Sequence, residues 1–216
     1  MDATMVDALL DVTRKKIEAL CEKRLAEGAD AYELLDELTR GLREIGRGYK
    51  ERYFDAELMV SGWNAKKAVQ LLKPQLQAGT KRKRSLGRVV IGTVKGDVHD
   101  IGKDIVTIML SSAGFDVIDL GIDVAKEQFA EAVKETGAGI LALSALLTTT
   151  RGYMADVIEH CRGNDLAVKI LVGGGAVNAT FAQKIGADAY GKDAVEAIRK
   201  AKELYLTIHG GEKTLG

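Results

Sequence analysis

The stretch VVIGTVKGDVHDIGK, residues 89–103, decides the fold of this chain. It opens with an apolar run at residues 89–94, crosses a polar loop, and enters a segment whose periodicity predicts a helix over residues 103–113. Strand, loop and helix in this order form the repeating unit of a parallel sheet covered by helices. We therefore expect an α/β domain that is built outward from this first strand.

The same alternation continues to the end of the chain. Further strands are predicted at residues 116–120, 139–144, 168–172 and 187–190. Helical patterns follow them at residues 125–136, 151–162, 178–185 and 193–206. The expected fold is α/β, with a Rossmann-like, doubly wound, five-stranded parallel sheet over residues 88–216. In such a sheet the ligand crevice lies at the carboxyl ends of the strands.

Residues 1–78 show helical spacing and predict a four-helix bundle. A first helix ends at a break over residues 27–30, where Asp30 is placed to cap a second helix. A third helix is predicted at residues 46–53, either separate from the second or continuous with it, and a fourth at residues 55–76. The fourth helix has these candidate core residues: Leu58, Met59, Ala65, Val69 and Leu72.

Residues 79–87 are polar and predict a linker between the two domains. The linker contains a basic run, KRKR at residues 81–84, which could suggest a nucleic-acid site. A solvated hinge is the interpretation we favour.

The loop after the first predicted strand holds a candidate ligand-binding residue. His99 lies where a ring nitrogen can face a ligand across the sheet edge. Asp97, two residues earlier, could accept the proton on the other ring nitrogen and so fix the tautomer. Gly102 leaves room for a large ligand to approach the backbone.

These residues resemble the D-x-H-x-x-G signature of cobalamin-binding domains. Two further elements follow in the order of that family: the S-x-L element at Ser144 and Leu146, and the G-G element at Gly173 and Gly174. All three elements fall at the ends of predicted strands. The resemblance implies a corrinoid (cobalamin or a related cobamide) bound base-off and His-on, with His99 as the lower axial ligand of cobalt.

The resemblance also implies the other site residues. A hydroxyl behind Asp97 relays the proton in methyltransferase members, and Thr150 is the candidate for it here, which gives Asp97, His99 and Thr150 as the catalytic set. The implied cofactor contacts are Asp97, Val98, His99, Asp100, Ile101, Gly102, Ser144, Leu146, Thr148, Gly173, Gly174 and Tyr190. In the helical region the family has bulky apolar residues over the corrin, and Tyr49 and Ala56 fall at those positions. We expect Trp63 to be a core residue.

A helical region ahead of the cobalamin-binding domain resembles the methyl-carrying corrinoid proteins. The implied function is a methyl carrier that accepts a methyl group on cobalt(I) from a donor methyltransferase of the methanol, methylamine or methoxy-aromatic type. A second methyltransferase then passes the group to a pterin or thiol acceptor, and a reductive activator restores oxidised cobalt. Such a carrier is a component of a methyltransferase, not a complete enzyme alone.

Two other functions stay open at this point. A cobalamin-based sensor would bind a partner without chemistry, and a small subunit of an adenosylcobalamin mutase would resemble residues from Arg88 onward. Methylation of bound cobalt by a donor methyltransferase would separate the carrier from the sensor, and a preference for adenosylcobalamin with a large barrel-type partner would favour the mutase subunit.

Composition and charge limit the partners and the cellular location that we expect. The 31 basic residues balance 31 acidic ones in 216, so charge gives no reason to expect nucleic acid or membrane as a partner. Neither an apolar segment of membrane-spanning length nor a signal peptide is evident. Cys21 and Cys161 are far apart and predict no disulfide. We expect a cytoplasmic protein.

Overall fold

The computed structural model describes residues 4–48, 51–78 and 85–208, and the chain divides into two compact units. We call Met1–Gly79 the helical unit and Thr80–Gly216 the sheet unit. Tyr49, the basic run at residues 81–84 and most of the predicted linker lie outside the described residues.

The helical unit contains four helices within the described ranges: α1 (Met5–Leu9), α2 (Lys15–Ala26), α3 (Ala31–Arg47) and α4 (Asp55–Ala78). Asp30 caps α3 as predicted, since its Oδ1 accepts a hydrogen bond from the Tyr32 amide at 2.6 Å. Of the predicted core residues of α4, Ala65, Val69 and Leu72 are buried.

The predicted first helix is in fact two helices. Arg14 has a positive φ of 61°, which interrupts the helical path between α1 and α2. Oδ2 of Asp11 accepts hydrogen bonds from the amides of Lys15 and Lys16, both at 3.0 Å, and so satisfies the free amides at the start of α2. The sequence pattern missed this break because the apolar spacing continues across it.

The predicted helix at residues 46–53 is wrong. Helix α3 continues to Arg47, and the Gly48 carbonyl then accepts hydrogen bonds from the amides of Glu51, Arg52 and Tyr53 in a turn.

Two side chains of α4 also depart from the prediction: Met59 is 60% exposed and Trp63 is 49% exposed, so neither is a core residue. The Arg14 guanidinium lies 4.1 Å from the centre of the Trp63 ring.

The sheet unit contains the predicted alternation of strands and helices. The strands are β1 (Arg88–Thr93), β2 (Asp116–Asp119), β3 (Ile140–Ser144), β4 (Lys169–Gly173) and β5 (Ala189–Gly191). The helices are α5 (Ile101–Ser112), α6 (Lys126–Thr136), α7 (Tyr153–Gly163), α8 (Ala179–Lys184) and α9 (Ala194–Ile208). All strand pairs are parallel, in the order β2-β1-β3-β4-β5.

Alternate residues of the strands build a separate core on each face of the sheet. Val90, Leu141 and Val172 pack with residues of α6, α7 and α8. Val89, Ile140 and Leu171 pack with residues of α5 and α9 on the other face. Burial on both faces explains why β1, β3 and β4 are mostly apolar along their length. The predicted doubly wound sheet is therefore confirmed.

Candidate functional site

The candidate site lies where the strand order reverses. β1 pairs with β2 on one side and with β3 on the other, so the chain leaves β1 in one direction and later returns to its opposite side. The helices that follow β1 and β3 lie on opposite faces of the sheet, and in doubly wound sheets ligands bind at such a reversal point, at the carboxyl ends of the strands. The loop after β1 carries Asp97 and His99, and the loop after β3 carries Leu146, Leu147 and Thr150.

Asp97 joins these two loops through its carboxylate. Its side chain is fully buried and accepts five hydrogen bonds. Oδ1 accepts from the His99 ring Nδ1 at 2.7 Å and from the His99 amide at 3.1 Å. Oδ2 accepts from the Leu146 amide at 2.8 Å, the Leu147 amide at 3.2 Å and the Thr150 hydroxyl at 2.7 Å.

These hydrogen bonds keep Asp97 ionised. Burial by itself raises the pKa of the carboxyl group, but the hydrogen bonds from Thr150, His99 and the Leu146 amide together outweigh burial and lower the pKa to about 2. The Thr150 hydroxyl also lies 3.1 Å from the Leu147 carbonyl. Its one proton goes to the shorter, charge-assisted bond with Asp97.

An ionised Asp97 fixes the tautomer of His99. Because Oδ1 can only accept a hydrogen bond, Nδ1 of the neutral ring carries the proton and Nε2 carries the lone pair. The His99 side chain is 44% exposed. Nε2 has no hydrogen-bond partner among the residues that the structure describes. The arrangement is that of a metal-ligating histidine oriented by a carboxylate.

The surroundings of His99 suit a large, flat, largely apolar ligand. Four apolar side chains of the adjoining loops are between 41% and 63% exposed: Val98, Ile122, Leu146 and Leu147. A Cβ atom at Gly102 would meet nothing within 4 Å, so the space beside the first turn of α5 is open. In the described part of the chain, no group of three or more His, Cys, Asp or Glu side chains could hold a metal ion by itself. A lone imidazole suits a metal whose remaining ligands come from a macrocycle.

The G-G element packs tightly against the loop after β3. Gly174 has a positive φ of 112°, and a Cβ atom there would lie 2.1 Å from the Ala145 carbonyl oxygen. Only glycine fits this close contact between two backbones. A Cβ atom at Gly173 would lie 3.0 Å from the Gly191 carbonyl oxygen.

The other predicted cofactor contacts have varied surroundings. Ser144 ends β3, and its carbonyl accepts the Val94 amide at 3.1 Å. Thr148 is exposed, and Asp100 and Ile101 lie at the start of α5. The Tyr190 hydroxyl donates to the Val177 carbonyl at 3.1 Å, and its ring packs on the core beside β4.

Four charged residues beside the site were not predicted. Lys103 is only 3% exposed and forms ion pairs with Asp104 and Asp119. Asp123 has a positive φ of 55°, and its Oδ1 accepts the Gly96 amide at 2.7 Å. The one signal for Lys103 in the sequence is its position directly after Gly102. Lysine is seldom buried, so its burial could not be inferred from that position.

No helix in the described ranges is both long enough and apolar enough to cross a membrane.

Two family models match the chain. Residues 87–199 match a B12 binding domain, and residues 2–73 match a second model with the same description. The fold and the two family models thus define the class: a B12-binding protein with a doubly wound sheet.

Similar proteins make the family more specific. Dimethylamine corrinoid protein 3 of Methanosarcina acetivorans is 41% identical over 205 residues, which cover 94% of this chain and 95% of that protein. The solved monomethylamine corrinoid protein of Methanosarcina barkeri has a TM-score of 0.85 and 32% identity, over 93% of this chain and 96% of that one. A chain of the methanol:cobalamin methyltransferase complex MtaBC from Methanosarcina barkeri has a TM-score of 0.54 and 30% identity, over 95% and 78%. The protein belongs to this family of corrinoid proteins.

Proposed function

We propose that this protein is the corrinoid-binding methyl carrier of a methyltransferase system and that its methyl donor is a methylamine. The observation that carries the proposal is the hydrogen-bonded chain from His99 through Asp97 to Thr150 at the reversal point of the sheet. The identity to a dimethylamine corrinoid protein over nearly the whole length of both chains supports the donor class.

His99 would hold the cobalt through Nε2, with the corrinoid in the base-off, His-on state. When bound, the corrinoid supplies the cobalt centre that accepts and releases the methyl group. Gly102 and the exposed apolar side chains near it would face the ring, and Ser144, Gly173 and Gly174 would adjoin the nucleotide tail. The open space at Gly102 and the close backbone contact at Gly174 support these roles.

Asp97 and Thr150 would control the proton on His99. A carboxylate that accepts a hydrogen bond from Nδ1–H raises the electron density on Nε2 and strengthens it as a ligand. Asp97 stays ionised because five donors surround it, and Thr150 supplies one of them. A proton gained by the hydrogen-bonded residues His99, Asp97 and Thr150 would weaken His99 as a ligand. The Thr150 hydroxyl offers a path for that proton between Asp97 and solvent.

We propose that the helical unit is the cap of the corrinoid, with residues 1–78 as the cap domain and residues 79–87 as the linker to the cobalamin-binding domain at 88–216. The exposed apolar side chains of this unit support that role. Phe54 is 59% exposed, and Met59 and Trp63 project from α4 four residues apart. Ala56, at a position where the family has a bulky residue, is also exposed.

The proposed partners are a donor methyltransferase, a second methyltransferase with a pterin or thiol acceptor, and a reductive activator. The match to a chain of a methyltransferase complex supports the first. The cytoplasmic location stays a prediction.

Transfer of an isotope-labelled methyl group tests the proposal. The protein is loaded with hydroxocobalamin, reduced, and incubated with labelled dimethylamine and a dimethylamine:corrinoid methyltransferase. We expect label on the corrinoid of the wild-type protein and far less with His99→Ala. A protein that holds the corrinoid but gains no label from any methylamine, with an active donor enzyme, would contradict the methyl-carrier function and favour a sensor.

A further inference from the structure

We propose that Lys103 is a positioning residue for His99, because its buried ammonium group ties the start of α5 to the end of β2 through Asp119. The inference rests on the proposed role of His99 as the cobalt ligand. It assigns a purpose to a buried charge that the chain from His99 to Thr150 does not use.

The surroundings of Lys103 indicate a fixed link and not a surface ion pair. The side chain is 2% exposed, and Nζ lies 2.7 Å from Oδ1 of Asp104 and 2.5 Å from Oδ2 of Asp119. An ammonium group removed from water is costly unless it is paired and hydrogen-bonded. Both carboxylates are therefore needed for Lys103 to stay in place.

Asp119 is itself held by the sheet. It is the last residue of β2 and is in register with Ile91 of β1. Its Oδ1 accepts the Gly121 amide at 2.9 Å, while Oδ2 accepts from Lys103. The carboxylate is thus a fixed point, and Lys103 transfers its position to the first turn of α5.

His99 stands directly before that turn. Helix α5 begins at Ile101, and the Thr93 hydroxyl donates to the His99 carbonyl at 3.0 Å. On the side of β3 the loop is held by Asp97, as described above. On the side of β2 it is held by Lys103 and by Asp123, whose amide donates to the Asp97 carbonyl at 3.1 Å.

The His99 loop is therefore fastened to both neighbours of β1. Bonds to Asp97 determine how the imidazole is rotated, and the link from Lys103 to Asp119 determines where its backbone lies. A side chain that binds a ligand must be held within a fraction of an ångström of its productive position to bind at full strength. Loss of the link should shift the imidazole and weaken its bond to cobalt about tenfold, the lower end of the range for residues that support metal ligands.

The midpoint potential of the cobalt(II)/cobalt(I) couple tests this, since cobalt(II) binds an axial imidazole and cobalt(I) does not. Weaker coordination by His99 makes reduction easier, and a tenfold loss raises the potential by about 59 mV. Lys103→Met keeps most of the length of the side chain and removes its charge. Asp119→Asn keeps the shape of the partner and serves as a second variant in case Lys103→Met does not fold.

Lys169→Met is the matched control. Lys169 forms an ion pair with Asp188 at 3.1 Å, which links the amino-terminal ends of β4 and β5 at the opposite edge of the sheet. This variant also loses a lysine–aspartate link within the sheet, but away from His99. Its midpoint potential should equal that of the wild type.

We expect higher potentials for Lys103→Met and Asp119→Asn, together with a larger His-off fraction in the ultraviolet–visible spectrum. Wild-type potential and spectrum in a folded Asp119→Asn variant that holds the corrinoid would overturn the proposal. If His99→Ala itself has the potential and spectrum of the wild type, the proposed ligand role fails first. The two failures are therefore distinguishable.

Discussion

Replacing Thr150 with valine removes one hydrogen-bond donor from the buried Asp97 carboxylate and leaves the shape of the side chain nearly unchanged. The hydroxyl donates to Oδ2 of Asp97 at 2.7 Å. A hydrogen bond to a charged group contributes about 1.5 to 3 kcal/mol. We expect Thr150→Val to lower the free energy of unfolding by about 2 kcal/mol at pH 7. Thr150→Ser keeps the hydroxyl and should cost about 0.8 kcal/mol or less for the lost methyl group.

The loss should also depend on pH in a defined direction. The pKa of Asp97 in the folded protein is about 2, below its ordinary value of 3.8. A group whose pKa is lowered on folding stabilises the native state above its unfolded pKa, and that stabilisation disappears as the pH falls through the folded pKa. The difference between wild type and Thr150→Val should therefore be constant down to about pH 4 and shrink between about pH 4 and pH 2.

Urea unfolding of the corrinoid-free protein, followed by circular dichroism at a series of pH values, measures both effects. Thr150→Ser is the control. Serine keeps the hydroxyl that donates to Asp97 and loses only the methyl group of threonine, whereas valine loses the hydroxyl. Equal unfolding free energies for the valine variant and the wild type at pH 7 would refute the reasoning. A difference that grows as the pH falls would refute it too.

Three further substitutions have expected outcomes. Gly102→Ala should stabilise the corrinoid-free protein by about 0.5 to 1 kcal/mol, because the added Cβ meets no other atom. The same Cβ fills space that the ligand needs, so corrinoid binding should weaken by on the order of tenfold in a spectroscopic titration. Gly174→Ala should lower the unfolding free energy by more than about 3 kcal/mol in urea, because its Cβ would collide with the Ala145 carbonyl at a positive φ; near-wild-type stability would disprove this. Asp97→Asn should weaken His99 as a cobalt ligand about ten- to hundredfold, which raises the cobalt(II)/cobalt(I) potential by about 60 to 120 mV, and an unchanged potential would count against the carboxylate's role.

The sheet unit was largely predictable because its strands are buried on both faces. Runs such as residues 89–94 and 139–144 are mostly apolar and do not alternate with charged residues, and each is followed by a helical pattern. The chain from His99 to Asp97 followed from a spacing of two residues. Thr150, fifty-three residues beyond Asp97, came from the family resemblance alone, since spacing along the chain does not indicate contacts between separate loops.

The helical unit was harder to predict because its boundaries depend on single polar contacts. The break before α2 depends on the Asp11 carboxylate and on the positive φ of Arg14. The end of α3 depends on the Gly48 carbonyl, which collects three amides. An apolar residue at helical spacing can also face outward, as Met59 and Trp63 do.

The buried Lys103 was missed for a related reason. A lysine is expected at the surface unless its partners are known, and Asp119 lies sixteen residues further along the chain, at the end of β2. Only the fold brings the two charges together.

Ligation of cobalt by His99 is tested by the ultraviolet–visible spectrum of the protein loaded with hydroxocobalamin, wild type against His99→Ala. We expect a bound, base-off corrinoid in both proteins, with an imidazole-ligated spectrum in the wild type that is lost in the variant. A wild-type protein that retains no corrinoid, or a spectrum that is the same without His99, would contradict it.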